Sequence, residues 1–292
     1  MTIDITALYC CLDDFCKLYE DWEGHRLIPS QTTRQRAGKL SRSEMLFIRV
    51  LFHLSPYKHF KAFYLCGIGR EYRDCFADLP HYDRFISLMP RLFAPLMVLL
   101  HSLGGEETGI YFADSTKLAV CHNRRIHRHQ VFDGLAARGK TSMGWFFGLK
   151  LHFVINHKGQ VMALKITPGN TADNIVLDDM TRHLTGKVHA DRGYVGHELF
   201  NTLWQRGLHL ITGIRRNMKN HLMPMADKIM LRKRFLIETV LDTLKSEMGL
   251  EHSRHRSVTN AMVHVLSRLV AYAFRPDKPS ISLTGKQVKA YP

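Results

Sequence analysis

Two aspartates in this sequence each follow a short apolar run. Asp114 comes directly after residues 110–113, and Asp191 comes directly after KVHA. Both runs predict strands, and ligands gather at the carboxyl ends of strands in α/β sheets. If the two strands are neighbours, the two carboxylates meet at one edge of the sheet. Because close carboxylates repel each other, we expect cations between them, and two Mg²⁺ ions about 4 Å apart suit phosphoryl chemistry.

A third carboxylate for such a site is available in RKRFLIETVLDTLKSEMG. This segment predicts a helix over residues 233–248. Glu238 lies four residues after Arg234 and seven before Lys245, so the three share one helical face. We expect both cations to bind substrate phosphates while Glu238 reaches a metal. Asp242, on the same helix, is a rival to Glu238 with less distinctive neighbours.

Each of these acids also has an ordinary structural explanation. An aspartate at the end of a strand is more often a turn or cap residue than a ligand. A glutamate flanked by cations at helical spacing usually lies on a solvated face. The ordered set of Asp114, Asp191 and Glu238 favours the functional interpretation over the structural one.

The residues around the acids predict the elements that would position them. The strand at 110–113 is followed by a hairpin whose arms are 147–156 and 160–167, with Gly159 in the turn. A helix, a strand ending in Asp191, a second helix, another strand and further helices follow. This order predicts an α/β fold in which parallel and antiparallel pairing mix and helices cover the sheet.

The chain divides into three parts. Residues 1–105 have helical periodicity, and Ser41 and Glu44 have capping-box spacing at one helix start. These helices predict either a helix-turn-helix-like DNA-binding domain or a plain helical cap on the next domain. Residues 106–275 contain the predicted sheet, and the polar, proline-containing residues 276–292 predict a loose tail.

The charge of the chain favours a polyanionic partner. It has 41 Lys and Arg residues against 26 Asp and Glu residues, a net charge of +15. Nucleic acid is the simplest partner of this kind, and adaptation for solubility or binding to a membrane surface are the alternatives. The predicted nucleic-acid contacts are the cations near the acids and in the basic segments, namely Lys117, Arg124, Arg125, Arg128, Arg192, Arg215, Arg216, Arg234 and Lys245.

The segment after the first aspartate raises two further questions. Cys121 with His122, His127 and His129 suggests zinc, but the spacing fits no tetrahedral pattern, and phosphate contact is the better prediction. Trp145 is predicted to belong either to the core or to a surface that stacks on an unpaired base.

The remaining features indicate a compartment. The six cysteines form no CxxC pair, so we expect reduced and mostly buried thiols. The N-terminus lacks the pattern of a signal peptide, and the longest apolar stretch, 92–103, is too short to span a bilayer. We therefore expect a cytoplasmic protein with no membrane partner.

Three blocks around the acids carry a resemblance: YFADSTKL, HADRGYVG, and Arg234-x3-Glu238-x6-Lys245. They resemble the DDE transposases of bacterial insertion sequences. The last block is similar to the signature Tyr-x2-Arg-x3-Glu-x6-Lys of several such families, although Leu231 stands at the tyrosine position. ITPGNTADN also resembles the loop that precedes a connecting helix in these enzymes. The likeness spans residues 111–274.

The resemblance implies a fold, a metal site and a reaction. The fold is an RNase H-like mixed sheet flanked by helices, with a helical domain before it. Asp114, Asp191 and Glu238 would hold two Mg²⁺ ions, with Mn²⁺ able to substitute. The reaction is cleavage of double-stranded DNA at terminal inverted repeats and strand transfer into target DNA by two-metal-ion phosphoryl transfer.

The resemblance also implies the partners and leaves two alternatives. Two DNA ends must be paired, so we expect a homodimer on DNA, associated with a bacterial nucleoid. The alternatives are a metal-dependent nuclease that does not join strands and a DNA-binding protein that has lost catalysis. The presence of all three acids and both flanking cations disfavours the second alternative.

Overall fold

A computed structural model describes residues 4–25, 38–142, 144–214, 218, 222–251 and 255–283. Its internal contacts divide the chain into two units. The helical unit consists of residues 1–103 and 255–276, and the sheet unit consists of residues 104–254 and 277–292. The division predicted from sequence differs at two places: it assigned residues 255–275 to the part that contains the sheet, and it set residues 276–292 apart as a tail, whereas 277–292 group with the sheet unit.

The described residues form ten α-helices. They are α1 Ile5–His25, α2 Arg42–Leu54, α3 Phe60–Ala62, α4 Tyr82–Leu88, α5 Phe93–Ser102, α6 Asp173–Met180, α7 His197–Gln205, α8 Met225–Arg232, α9 Phe235–Asp242 and α10 Val258–Phe274. A π-helix, Phe63–Glu71, continues α3.

In the helical unit, α2 begins as the sequence predicts. The Ser41 hydroxyl accepts a hydrogen bond from the Glu44 amide at 3.1 Å, and the Glu44 carboxylate accepts one from the Ser41 amide at 2.6 Å. The capping box is therefore confirmed. α10 packs against α2 and α5. Since most of its residues are buried, α10 needs partners on several sides, and the N-terminal helices supply them.

α4 and α5 join through the 3₁₀ segment Met89–Leu92 into one helical stretch, Tyr82–Ser102. By length and composition alone, these 21 residues could cross a membrane, whereas the sequence prediction considered only the shorter stretch 92–103. Pro90 and Pro95 lie in the first turns of their helical segments, where a missing N–H does no harm. Leu92, Leu96 and Leu99 of this stretch are buried in the helical unit, as in a core helix.

The cysteines are unpaired, as expected, but they are less buried than expected. Cys10, Cys11 and Cys75 are exposed, and only Cys16 is buried. Burial raises the pKa of the Cys16 thiol to about 11, so that this thiol stays protonated at neutral pH.

The sheet unit has six described strands: β1 Ile110–Cys121, β2 Ala137–Thr141, β3 Gly144–Asn156, β4 Val161–Pro168, β5 Gly186–Ala190 and β6 Leu208–Thr212. Their order is β2-β3-β1-β5-β6, and β4 pairs with β3. β1 is antiparallel to β3 and parallel to β5, and β6 is parallel to β5. This is the mixed sheet with flanking helices that the sequence predicts. The predicted hairpin is β3 and β4, and Gly159 in its turn has a φ of +71°.

β1 does not end at Asp114, contrary to the prediction, but continues to Cys121. Its two neighbours explain the difference. Parallel pairing with β5 stops where Ala113 faces Ala190, whereas antiparallel pairing with β3 continues to Cys121. Asp114 is thus the first residue of β1 after the pairing with β5 has ended, while the pairing of β1 with β3 continues past it.

The two faces of the sheet carry different helices. Tyr111 and Ala113 belong to a buried cluster that includes residues of α6 and α7. Side chains alternate along a strand, so Phe112 and Asp114 lie on the opposite face, where α9 contacts β1. The candidate site lies on this second face.

Candidate active site

The sheet register brings the two predicted aspartates to adjacent positions. Ala113 of β1 faces Ala190 of β5 in parallel register, and Asp114 and Asp191 are the next residue of each chain segment. Parallel partners one step further along lie side by side at the same end of the sheet. The Asp114 side chain is 21% exposed, and one of its oxygens accepts a hydrogen bond from the Ser115 amide at 2.8 Å.

The turn after β5 fixes the Asp191 carboxylate. Asp191 caps the 3₁₀ helix Arg192–Tyr194, and its Oδ1 accepts a hydrogen bond from the Gly193 amide at 2.8 Å. A Cβ atom on residue 193 would lie only 2.9 Å from this oxygen. The third residue of the Asp-Arg-Gly sequence is therefore a glycine because any side chain would press on the carboxylate. Arg192 lies against Gly213, where a Cβ would approach its Nε to 3.2 Å.

Glu238 and Arg234 come from α9 and the residue before it. The Nη2 atom of Arg234 lies 2.8 Å from Oε1 of Glu238, and its Nη1 lies 3.3 Å from Oδ2 of Asp114. One guanidinium thus bridges two of the three acids. Asp242 is exposed and makes no ion pair with any residue that the structure describes. The geometry therefore favours Glu238 over Asp242.

The electrostatics of Asp114 also connect the three acids. Burial raises the pKa of the Asp114 carboxyl to about 6. The Ser115 N–H and the Arg234 charge lower this pKa, while the charges of Asp191 and Glu238 raise it further. The site consequently carries more negative charge than Arg234 neutralises. A bound cation would reduce the repulsion between these carboxylates.

Tyr194 is buried close to the same acids. Burial raises the pKa of the Tyr194 hydroxyl well above 10, and the charges of Asp173, Asp114 and Asp191 add to the effect. The hydroxyl therefore stays protonated and can act only as a neutral donor or acceptor near the carboxylates.

These residues fit a hard divalent cation by donor type and by charge, since carboxylate oxygens are the ligands that Mg²⁺ and Mn²⁺ prefer. Within the described ranges, no group of three His, Cys, Asp or Glu side chains is placed to hold a metal. Arg234 contacts the carboxylates of Asp114 and Glu238, and these same carboxylates would hold a metal. Glu238 is 56% exposed, so its side chain has room to turn from Arg234 to a metal.

Two predicted cations do not join the acids. Lys245 lies in the π-helix Thr243–Glu247 that follows α9, and it pairs with Glu251 at 3.0 Å. Its described ion pair is therefore with a residue beyond the helix and not with any of the three acids. Lys117 lies three residues after Asp114 on β1, so the alternation of side chains places it on the opposite face of the sheet.

The other predicted cations lie beside β1 or outside the described residues. Arg124, Arg125 and Arg128 are exposed on the 3₁₀ helix Asn123–Arg128, directly after β1. Arg215 and Arg216 fall among the residues that the structure does not describe.

The structure describes the cysteine and the histidines for which zinc binding and phosphate contact were considered. In the described part of the chain, the side chains of Cys121, His122, His127 and His129 form no metal cluster. His122 accepts a hydrogen bond from the Arg124 amide, and the His129 ring stacks on Phe132 with centroids 5.9 Å apart.

Sequence reasoning missed a polar network behind Asp114. Asp173, the first residue of α6, lies 3.3 Å from both Lys150 Nζ and His152 Nδ1. His152 is 1% exposed, and its Nε2 lies 2.8 Å from the Thr167 hydroxyl. A hydrogen bond from Ser115 also lowers the pKa of Asp173. Lys150 and His152 are polar residues at alternate positions of an otherwise apolar strand. This pattern could have predicted a polar network on that face of the sheet.

Comparison with known families gives a match to a transposase DDE domain over residues 104–258. This match covers more than half of the 292 residues and contains all three acids. The chain belongs to this DDE transposase family. No curated protein matches it in sequence.

A solved structure supports the fold of this DDE transposase. The piggyBac transposase in a synaptic complex with hairpin DNA superposes with a TM-score of 0.51 at 9% identity, covering 99% of this chain and 79% of that one. The Mos1 transposase in its strand transfer complex gives a TM-score of only 0.24 at 10% identity, covering 89% and 86% of the two chains. At 9% identity, the first match shows a shared fold and nothing about individual residues.

Proposed function

We propose that this DDE transposase cleaves DNA at the ends of its element and joins the freed 3′ ends to target DNA. Asp114, Asp191 and Glu238 would hold two Mg²⁺ ions, for which Mn²⁺ can substitute. The observation that carries the proposal is the neighbourhood of the three acids in the fold: Asp114 and Asp191 follow adjacent positions in register, and Arg234 contacts both Asp114 and Glu238.

When bound, the metal ions would supply Lewis-acid stabilisation of the attacking and leaving oxygens at phosphorus. The residues of this chain do the positioning. The Ser115 amide donates a hydrogen bond to one oxygen of Asp114, and the Gly193 amide donates one to one oxygen of Asp191. The second oxygen of each carboxylate is left to bind cations. Once it leaves the carboxylates, the guanidinium of Arg234 lies within reach of a substrate phosphate, which it can bind with two N–H groups.

The proposed partners follow from charge and from the reaction. A net charge of +15 favours double-stranded DNA, both as terminal inverted repeats and as target. We also propose that two copies of the chain pair two DNA ends and that the protein works in the cytoplasm, on the nucleoid. Residues 1–105 would contribute DNA contacts. Residues 277–283 belong with the catalytic part, since Ile281 is buried and its amide donates a hydrogen bond to the His157 carbonyl.

The test uses duplexes taken from the DNA that flanks the gene on each side. In Mg²⁺, the full-length protein should nick the end of the inverted repeat and join that end to plasmid DNA. Asp191→Asn should lower cleavage by about 10³-fold or more because it removes a carboxylate that holds the cations, and gel-shift binding of the same duplex should remain. Asp242→Asn, on α9 but outside the site, is the matched control and should cleave normally.

Each alternative predicts a different result. Cleavage without any joined product would identify a nuclease. Binding without Mg²⁺-dependent cleavage would identify a DNA-binding protein that has lost catalysis. Full cleavage by Asp191→Asn would show that the three acids are not the catalytic set.

A further inference from the structure

Trp145 lies on the surface of the sheet unit and not in its core. It is the second residue of β3, and its side chain is 63% exposed. A tryptophan this exposed leaves most of a large aromatic face available to stack on a flat ligand. The exposure removes the core interpretation of Trp145 and leaves the question of what covers the ring.

A lysine lies next to the Trp145 ring, and a hydrogen bond links the neighbouring 3₁₀ helix to the Trp145 backbone. Lys140 faces Trp145 across the β2–β3 pair, and its ammonium lies 5.6 Å from the centroid of the ring. The Asn123 side-chain amide donates a hydrogen bond of 2.9 Å to the Trp145 carbonyl. That bond fastens the start of the 3₁₀ helix Asn123–Arg128 to β3. His129, directly after this helix, contacts Phe147 of the same strand.

The charges on this surface lack protein partners. Its cations are exposed, and none of them makes an ion pair with a described residue; they are Arg124, Arg125, Arg128, Arg138 and Lys140. Asp133 is the single acid between Cys121 and Gly148. Exposed guanidinium groups around an exposed indole match the chemistry of nucleic acid, which offers phosphates and flat bases together. We call these five cations and Trp145 the Trp145 surface.

The Trp145 surface and the catalytic acids share one face of the sheet. Trp145 and Phe153 are eight residues apart on β3, an even number, so their side chains point to the same side. Phe153 is the direct cross-strand neighbour of Asp114. Eight residues at a rise of about 3.3 Å place Trp145 about 26 Å from Asp114 along the sheet. On duplex DNA, with about 3.4 Å per base pair, this distance corresponds to about eight base pairs.

We propose that Trp145 stacks on an unstacked base of the DNA end, about eight base pairs from the bond that Asp114 and its partners cut. The five cations hold the phosphates on either side of that step, and the indole occupies the gap. This inference rests on the proposed function, because it assumes that DNA lies along the face of the sheet that carries the acids. The proposed contact would bend or open the DNA end at a fixed distance from the reacting phosphate.

The experiment uses 40-base-pair duplexes from the DNA flanking the gene, cut at the end of the inverted repeat, with 2-aminopurine placed at one position from 1 to 14. Fluorescence is recorded with the full-length protein in Ca²⁺, chosen to support binding without cleavage. Unstacking of 2-aminopurine raises its fluorescence. We expect a maximum at positions 6–9 and a loss of at least three-quarters of that increase with Trp145→Ala.

Two matched variants separate stacking from loss of the fold. Trp145→Phe keeps an aromatic ring and should retain part of the fluorescence increase. Trp204→Ala removes a tryptophan of similar exposure, 55%, on α7, and should leave the increase unchanged. The same protein samples are assayed for gel-shift binding and for Mg²⁺-dependent cleavage of unmodified ends.

The outcomes distinguish this inference from the function on which it rests. Cleavage of the ends with no position of increased fluorescence, or with equal increases for wild type and Trp145→Ala, overturns the role of Trp145 alone. A maximum far from positions 6–9 overturns the placement of DNA along β3. Absence of binding and cleavage in the wild type overturns the proposed function instead.

Discussion

Two clusters of charged side chains in this molecule have opposite compositions. In the sheet unit, Arg234 contacts two acids, Asp114 and Glu238, at a site that is partly open to solvent. In the helical unit, Arg49 of α2 is 1% exposed and its described polar contacts are all neutral groups or rings. The first cluster is electrostatically incomplete and accessible, whereas the second is sealed.

The helical cluster shows how a buried guanidinium is held without a carboxylate. Arg49 Nη2 lies 3.1 Å from His264 Nδ1 and 3.2 Å from the Ser267 hydroxyl, both on α10. Its Cζ lies 4.5 Å from the centroid of the Phe60 ring. Burial lowers the pKa of Arg49 to about 9 and the pKa of His53 and His264 well below 6.5. The histidines are therefore neutral at physiological pH and stabilise the cation as dipoles.

The difference teaches how to separate a functional charge cluster from a structural one. Buried charge alone is common to both. An excess of one sign that faces solvent provides a place for a ligand of the other sign, and the three acids meet that condition. A charge enclosed by hydrogen-bonding partners and rings has no such place, so we assign Arg49 to the packing of α2 on α10.

The largest expected effect on stability comes from Arg49→Ala. This change leaves a cavity and removes the partner of three buried polar groups, so the helical unit should lose about 3–5 kcal/mol. Amide hydrogen exchange in α2 and α10 measures the loss without assuming that both units unfold together. Arg84→Ala, an exposed arginine on α4, should change little. A loss below about 1 kcal/mol for Arg49→Ala would contradict the structural assignment.

Acidification should weaken the helical unit next. The pKa values of His53 and His264 are lower in the folded than in the unfolded state. The unfolded chain therefore binds more protons below about pH 6.5, and stability present above that pH is lost as pH falls. Two such groups give a slope of up to about 2.7 kcal/mol per pH unit. Amide exchange protection in α10, measured between pH 7 and 5, gives this slope. Protection that does not change with pH would contradict the neutral state of the histidines.

The smallest expected effect, with the opposite pH dependence, is at Asp114. Its folded pKa of about 6 exceeds its unfolded value of 3.8, so the protonated form contributes stability that is lost as pH rises through 6. In EDTA at pH 8, Asp114→Asn should therefore stabilise the sheet unit by about 1–2 kcal/mol, less than the full shift implies because Arg234 loses a partner. At pH 4 the variant and the wild type should agree.

Asp242→Asn is the control for that measurement and should have no effect at either pH. If Asp114→Asn destabilised the metal-free protein at pH 8, the acids would have to be regarded as a balanced structural network like the helical cluster. The contrast between the two clusters would then fail.

Much of the candidate site follows from the sequence because local rules govern its parts. Asp191 at the end of KVHA and the hairpin turn at Gly159 depend on neighbours a few residues away, and the structure has both as predicted. The contact of Arg234 with Glu238 follows from helical spacing in the same way.

The prediction that required a knowledge of strand partners was wrong. β1 passes Asp114 because β3 is longer than β5, and no local signal gives the length of a partner strand. The π-helix after α9 is a second feature that the residue pattern did not predict. The contact of Lys245 with DNA stays a prediction, and in the structure Lys245 pairs with Glu251.

By itself, the sequence determined the three acids, the basic character and most of the order of the elements, although not β2 or α8, because periodicity, caps and residue type are written locally. Only the tertiary structure decided which charges meet. Arg234 reaches Asp114 across 120 residues of chain, and Arg49 reaches Ser267 across 218. Such pairs depend on strand register and helix packing, which arise from the burial of whole surfaces and not from any one segment.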